Sequence, residues 1–320
     1  MTGDDIAMSR ILVTGASGFI GRAVIGALAA QGHLLRAAVR RKPQPPFPRG
    51  IETIQHPDLA ESFDWAPLLE DVDCVLHLAG IAHSPRGVDS ALYDRVNSVA
   101  TGQLATASSQ AGVRRFVFIS SIRAQSGPAA DGTLTESDPA LPVDVYGRSK
   151  LAAEETVRAA GVPFTILRPV VLYGPGMKGH LALLARAAAS PWPLPVRDFQ
   201  NRRSLLGIDN FISAVAFVLA TPATLGETYV VADPGMPPRL SEIITVLRHA
   251  MGRQPRIVPM PTRYVEVALR TLRRVDVWSR LGGDLRVDAG KLMAVGWRPP
   301  HDTLSGLAAM ALAARRNARV

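Results

Sequence analysis

Tyr146 and Lys150 stand four residues apart in Val145-Tyr146-Gly147-Arg148-Ser149-Lys150, where the pattern predicts a helix from 146 onward. Four residues bring two side chains onto one helical face. An isolated tyrosine has a pKa of about 10 and is a poor base at neutral pH. An ammonium beside it stabilises the phenolate and draws the group nearer working pH. Such a pair can pass a proton to or from a substrate oxygen that a hydroxyl holds in place. The run Phe116-Val117-Phe118-Ile119-Ser120-Ser121 supplies hydroxyls at the end of a predicted strand. Ser121, at the extreme end, is the expected catalytic hydroxyl, and Ser120 is its alternative. A lone Tyr-x-x-x-Lys is common by chance, so its meaning depends on what accompanies it.

A second motif opens the chain. A predicted strand runs into Thr14-Gly15-Ala16-Ser17-Gly18-Phe19-Ile20-Gly21, and an amphipathic helix follows. Residues without a Cβ let a strand turn tightly into a helix and let backbone N–H groups approach a pyrophosphate. Gly15, Ser17, Gly18, Phe19, Ile20 and Gly21 are therefore the expected dinucleotide cradle. The end of the second strand selects between cofactors: an acid there suits the ribose of NAD, and arginine suits the 2′-phosphate of NADP. Here the sequence is Val39-Arg40-Arg41-Lys42, with no acid. Arg40 and Arg41 favour NADP over NAD. Asp58 and Leu59, after the third strand, are an expected adenine contact; Asp58 alone could equally be a helix cap.

Apolar runs at Arg10–Thr14, Leu34–Val39, Ile51–Gln55, Cys74–Ala79, Arg115–Ser120, Phe164–Arg168 and Thr228–Val231 predict strands, with helix-length spacers such as Phe19–Ala30 between them. That alternation predicts an α/β fold: a Rossmann-type, doubly wound parallel sheet. The expected division is a nucleotide-binding domain over residues 1–170, a returning piece at about 201–235, and a smaller, mainly helical cap over 171–200 and 236–320. The chain has 320 residues, 20% of them charged, and a formal charge of +9. The basic residues are spread out, which suits an anionic small molecule better than nucleic acid. A single cysteine, Cys74, excludes a disulfide framework and is expected in the core; seven histidines show no metal-ligand spacing, so no metal is expected. Without a membrane-length apolar run or a signal-peptide pattern, a cytoplasmic protein is expected. Arg263–Arg280 could be a basic helix on a membrane surface, but a cap helix with a solvated basic face explains it better.

Taken together, Thr14–Gly21, Asp73–Gly80, Val96-Asn97, Phe116–Ser121, Tyr146–Lys150, Arg168-Pro169, Tyr173-Gly174-Pro175-Gly176 and Gly296-Trp297-Arg298-Pro299 resemble the extended short-chain dehydrogenase/reductase family, of NAD-dependent epimerase/dehydratase type. The resemblance spans nearly the whole chain. It implies a nicotinamide cofactor also touched by Leu78, Ala79, Gly80 and Pro169, and a Ser121–Tyr146–Lys150 triad. It also implies that Asn97 shapes the active-site water path, and that the chain pairs as a homodimer. His77 matches a common family residue and is expected to pack or bond to backbone; His83 is expected in a solvated loop.

The same resemblance implies a nucleotide-sugar substrate, a uridine diphosphate sugar reacting at C4. Arg203 and Arg280 would contact its diphosphate and Asp284 its ribose; paired guanidiniums suit a diphosphate. The family's epimerases often carry asparagine near Val170 or Val171, and this chain does not. Dehydratases typically place Asp-Glu after the catalytic hydroxyl, where this chain has Ile122-Arg123. The expected activity is a 4-keto reductase, with a 4-epimerase retaining NAD as the alternative. A non-catalytic dinucleotide sensor or assembly factor is a third, which the complete triad disfavours.

Overall fold

The computed structural model describes residues 9–82, 89–177, 180–271, 278 and 282–317. Eleven strands among these are β1 (Arg10–Thr14), β2 (Leu34–Val39), β3 (Glu52–Gln55), β4 (Cys74–His77), β5 (Arg115–Ile119), β6 (Thr133–Leu134), β7 (Phe164–Pro169), β8 (Val171–Tyr173), β9 (Leu205–Gly207), β10 (Glu227–Val231) and β11 (Arg286–Val287). The helices are α1 (Phe19–Ala30), α2 (Ala66–Leu69), α3 (Ser90–Tyr93), α4 (Ala100–Gln110), α5 (Val145–Ala159), α6 (His180–Ala189), α7 (Ile208–Ala220), α8 (Leu240–Ala250), α9 (Thr262–Thr271), α10 (Gly290–Ala294) and α11 (Thr303–Asn317).

Seven strands form one sheet in the order β10-β7-β5-β4-β1-β2-β3. Every pairing in it is parallel. The central strands are apolar on both faces because helices cover both. On one side Val24, Ile25 and Leu28 of α1 join Phe211 and Val215 of α7 against Val13, Leu76 and Val117. On the other, Leu68 of α2, Leu104 of α4 and Val157 of α5 pack on Leu12, Val75 and Phe116. A third cluster holds Tyr173, Leu205, Ile244, Leu247 and Leu307 together. All seven strands expected from the sequence lie in this sheet.

Two small parallel pairs, β8–β9 and β6–β11, were not foreseen. Strands of two or three residues are too short to show a period. One turn also departs from the usual helix: Asp94–Val99, between α3 and α4, is π-helical. Cys74 is buried, as expected, and burial pushes its thiol pKa up to about 11. No helix among the described residues is long and apolar enough to cross a membrane. α9 covers the first part of the basic stretch; residues 272–277 and 279–281 lie outside the described residues.

Candidate active site

The chemistry gathers where β1, β4 and β5 end at their carboxyl edges, the edge at which open α/β sheets bind ligands. After β1 the backbone turns at Gly15, whose φ is +67°. A Cβ on Gly15 would lie 2.7 Å from the Ala79 nitrogen, and one on Gly21 would lie 2.3 Å from the Gly15 carbonyl oxygen. Gly18 N–H closes the turn on Gly15 O at 3.0 Å. Gly18 is the N-cap of α1, and no side chain caps that helix start. The first-turn N–H groups are thus left without side-chain partners in a turn that carries no Cβ at Gly15, Gly18 and Gly21, as a pyrophosphate requires. The residues fit a dinucleotide. Phe19 and Ile20 start α1 and are half-buried, and Ser17 is exposed.

Behind the cradle runs a buried relay that the sequence reading did not foresee. Ala79 N–H donates to Thr14 Oγ1 at 3.2 Å, Thr14 Oγ1 lies 2.7 Å from His77 Nδ1, and His77 Nε2 lies 2.8 Å from Thr101 Oγ1. Thr101 donates to the Asn97 carbonyl at 2.7 Å. Since Thr101 spends its proton there, His77 Nε2 must carry the hydrogen and Nδ1 must accept from Thr14. His77 therefore packs in the interior, against the Phe116 and Phe118 rings, as one of its two expected roles, and its ring nitrogens bond side chains rather than backbone. Burial holds its pKa down to about 3, far below an unfolded histidine's value of about 6.5. The neutral form is native, so stability is complete above pH 6.5 and is lost as pH falls through the window from 6.5 toward 3. Lowering the pH from 6.5 to 5 is expected to cost about 2 kcal/mol from this group. Urea unfolding at the two pH values measures it, and His77→Gln should flatten the slope.

Asn97, on the π turn, is fully buried. Its Nδ2 donates to Ile81 O and to Ser149 Oγ, both at 3.0 Å, and its Oδ1 accepts Ile81 N–H at 2.7 Å. It pins the Gly80–Ile81 loop to α5. A Cβ on Gly80 would sit 2.9 Å from Asn97 Oδ1 and 3.4 Å from Lys150 Nζ.

The Asp144 carboxylate caps α5 through Gly147 N–H at 2.7 Å and pairs with Arg123. This fixes the first turn, where Tyr146 sits. Burial raises the Tyr146 pKa above the usual value, against an interaction of its hydroxyl with Ser121 that lowers it. Ser121 Oγ also accepts Arg123 N–H at 3.1 Å. Lys150 Nζ donates to Ile119 O at 2.9 Å and stands 4.7 Å from the centre of the Phe118 ring. Burial lowers the Lys150 pKa to about 8, against the pull of Glu154. At neutral pH the site therefore presents a protonated phenol interacting with Ser121, with a largely charged ammonium one turn along the helix. That arrangement can hand a proton to a carbonyl oxygen seated against Ser121 and Tyr146.

Ser120, the alternative hydroxyl and expected substrate contact, faces the other way. It is 3% exposed and its Oγ donates to Glu154 Oε1 at 2.6 Å. Leu59 is buried against the Trp65 and Leu68 cluster. Asp58 receives Arg40 Nη1 at 2.9 Å and Ala60 N–H at 3.0 Å, so its cap is a turn rather than a helix. Arg40 thus has a carboxylate partner; Arg41 is exposed. Leu78, Ala79 and Gly80 line the edge after β4, and Pro169 ends β7 beside Val231.

Arg203 donates to Gly283 O at 3.1 Å and Pro128 O at 2.9 Å. Asp284 accepts Arg202 N–H at 2.6 Å and lies 3.4 Å from Arg286. A recess of about 380 Å³, lined by Gly127, Pro128, Ala129, Val143, Trp278, Gly282 and Gly283, opens beside these residues. Arg280 and His83 lie outside the described residues. Val170 is buried and Val171 exposed.

Comparison with known proteins agrees with this geometry. The chain is 30% identical to a UDP-glucose 4-epimerase of Vibrio cholerae over 95% of both proteins. It is 31% identical to a ceramide reductase of Caulobacter vibrioides, over 92% of this chain and 87% of that one. Among solved structures it resembles MoeE5 in complex with UDP-glucuronic acid and NAD, with a TM-score of 0.75 and 25% identity, covering 96% of this chain and 99% of that one. The profile of the NAD dependent epimerase/dehydratase family matches residues 11–232. With its parallel Rossmann sheet, glycine turn and Ser–Tyr–Lys cluster, the chain belongs to that family of NAD(P)-dependent extended short-chain dehydrogenase/reductase enzymes.

Proposed function

We propose that this enzyme is an NADP-dependent 4-keto reductase of a nucleotide sugar, working as a cytoplasmic homodimer. The observation that carries the reading is the Tyr146 phenol, which interacts with Ser121 and is set one helical turn from the Lys150 ammonium, itself bordered by Gly80. Gly15, Gly18 and the start of α1 would hold the pyrophosphate, and Gly80 leaves space in front of Lys150. A reduced nicotinamide, when bound, supplies the hydride. Ser121 holds the carbonyl oxygen and Tyr146 gives it a proton as the carbon is reduced to an alcohol. Lys150 stabilises the phenolate left behind. A phenol whose pKa lies above the usual value starts as a proton donor, the role reduction needs.

Arg40, Arg41 and Lys42, with no acid on β2, support NADP. The Arg40–Asp58 pair takes part of that charge, and Arg41 adds a further exposed cation. The recess beside Arg203 and Asp284 is the place for the nucleotide. A groove of small side chains between α4 and α5, including Gly102, Thr156 and Ala160, suits pairing of two copies.

The second reading is a 4-epimerase with retained NAD, which the Vibrio cholerae relative favours. One set of assays separates them. The reductase is expected to consume NADPH with a UDP-4-keto sugar, and NADP to raise the melting temperature more than NAD does. Arg40→Ala should remove most of that preference. Interconversion of UDP-glucose and UDP-galactose without added reductant would instead establish the epimerase. A larger shift with NAD would end the NADP assignment.

A further inference from the structure

Three consecutive residues at the end of β5 each hold one turn of α5. Ser121 interacts with Tyr146, the Ile119 carbonyl accepts Lys150 Nζ at 2.9 Å, and Ser120 donates to Glu154 Oε1 at 2.6 Å. Tyr146, Lys150 and Glu154 are spaced by four, so they share one face of α5. The first two do chemistry in the reading above, and the third has no part in it. Yet Glu154 is completely buried, and a buried carboxylate is retained only with full compensation.

That compensation is arginine. Arg168 donates Nε to Glu154 Oε1 at 2.9 Å and Nη2 to Oε2 at 2.7 Å, a two-pronged clamp from β7. Arg158, half-exposed on the next turn of α5, adds Nη2 to Oε2 at 3.0 Å. Burial alone would raise the Glu154 pKa; Arg168, Ser120 and Arg158 carry it below the usual carboxylate range. The Arg168 guanidinium is itself buried and also bonds Gln125 Oε1 at 3.1 Å. The carboxylate is thus paired with one buried cation from β7 and lies one helical turn along α5 from another, Lys150.

We propose that Glu154 is a positioning residue of the active site: clamped by Ser120 and Arg168, it keeps the Lys150 side chain in its ammonium form and so acts on Tyr146 through Lys150. The inference rests on the Tyr146–Lys150 reading of the site. Among the described residues, the groups that face Lys150 divide by element. β4 offers His77, which is neutral and adds no charge. β5 offers the Phe118 ring and the Ile119 carbonyl. The π turn brings the uncharged Asn97 amide near, across Gly80. α5 itself brings Tyr146 and Glu154, and β7 brings Arg168 behind Glu154. Asp144, Arg123 and Tyr93 act on Tyr146 at the far end. Glu154 is the anion in this set that acts on Lys150.

The test reads Lys150 itself, in the cofactor-free protein and without turnover, so its result is independent of whether the reductase assay succeeds. The chain has four lysines, Lys42, Lys150, Lys178 and Lys291. A sample labelled with ¹³C,¹⁵N-lysine gives few enough signals to follow Lys150 by NMR through a pH titration, with Lys150→Arg to assign it. The Lys150 midpoint is expected at about 8 in the wild type. It should move lower in Glu154→Gln and stay near the wild-type value in Glu154→Asp, which keeps the charge. A folded Glu154→Gln protein with an unmoved Lys150 overturns the proposal. If Glu154→Gln does not fold, a wild-type Lys150 midpoint below 7 overturns it, because Lys150 would then not be held in its ammonium form beside Glu154.

Discussion

Replacing Tyr146 with phenylalanine is expected to lower turnover by about 10²–10⁴-fold, the usual contribution of a positioned proton donor. The substitution removes one oxygen from a ring that stays in place. Asp144 still caps α5 and Lys150 still reaches the Ile119 carbonyl, so the helix keeps its register. Ser121 loses one partner and keeps its bond from Arg123 N–H. Binding of NADP or NAD should change little, and the melting temperature with it. The loss should therefore fall on kcat rather than on cofactor affinity. Steady-state kinetics beside a thermal-shift titration separate the two. Turnover within a few-fold of wild type would remove Tyr146 from the chemistry and leave the proton without a carrier.

Gly15→Ala is expected to act on the other half of the site, with loss of both stability and dinucleotide binding. A side chain at φ +67° is strained for any residue with a Cβ, by about 1–2 kcal/mol. Here that Cβ would also lie 2.7 Å from the nitrogen and 2.9 Å from the Cα of Ala79, both backbone atoms of the edge after β4. Neither can swing aside as a side chain could, and overpacking of this kind costs about 1–3 kcal/mol. The summed destabilisation is roughly 2–5 kcal/mol. Relief requires β1 and β4 to separate at the point where the pyrophosphate must approach. Calorimetry should show the lower melting temperature, and the upward shift with NADP should be lost. A variant that melts with the wild type and keeps its cofactor shift would show that the turn has more room than the geometry allows.

Much of this was legible in the residues. The limits of β1, β2 and α1 lie where the apolar pattern put them, because a strand buried on both faces and a helix buried on one leave clear periods. The glycine turn was legible because only a missing Cβ allows that approach. Legibility failed where partners come from distant segments. Ser120 and Ser121 are adjacent and chemically alike; which of them faces the cleft depends on Glu154 taking Ser120, 34 residues away. Arg40 as a phosphate ligand and Asp58 as an adenine contact were read separately, and nothing local says that they bond each other. The two threonines that fix His77 are likewise remote, one 63 residues before it and one 24 after. One signal was present and overlooked: Glu154 continues the four-residue spacing of Tyr146 and Lys150.

The wide turn at Asp94–Val99 makes the placement of Asn97 a matter of chain length. An α-helix rotates about 100° per residue. Beyond the turn, buried Leu104, Ala105 and Ser108 anchor α4 in its groove. A gap of a single residue between Asn97 and α4 would rewind the coil and swing the amide away from Ile81 by that angle, with every atom of the asparagine intact. Asp94, Arg95 and Val99, which face solvent, can vary in kind. Their number cannot.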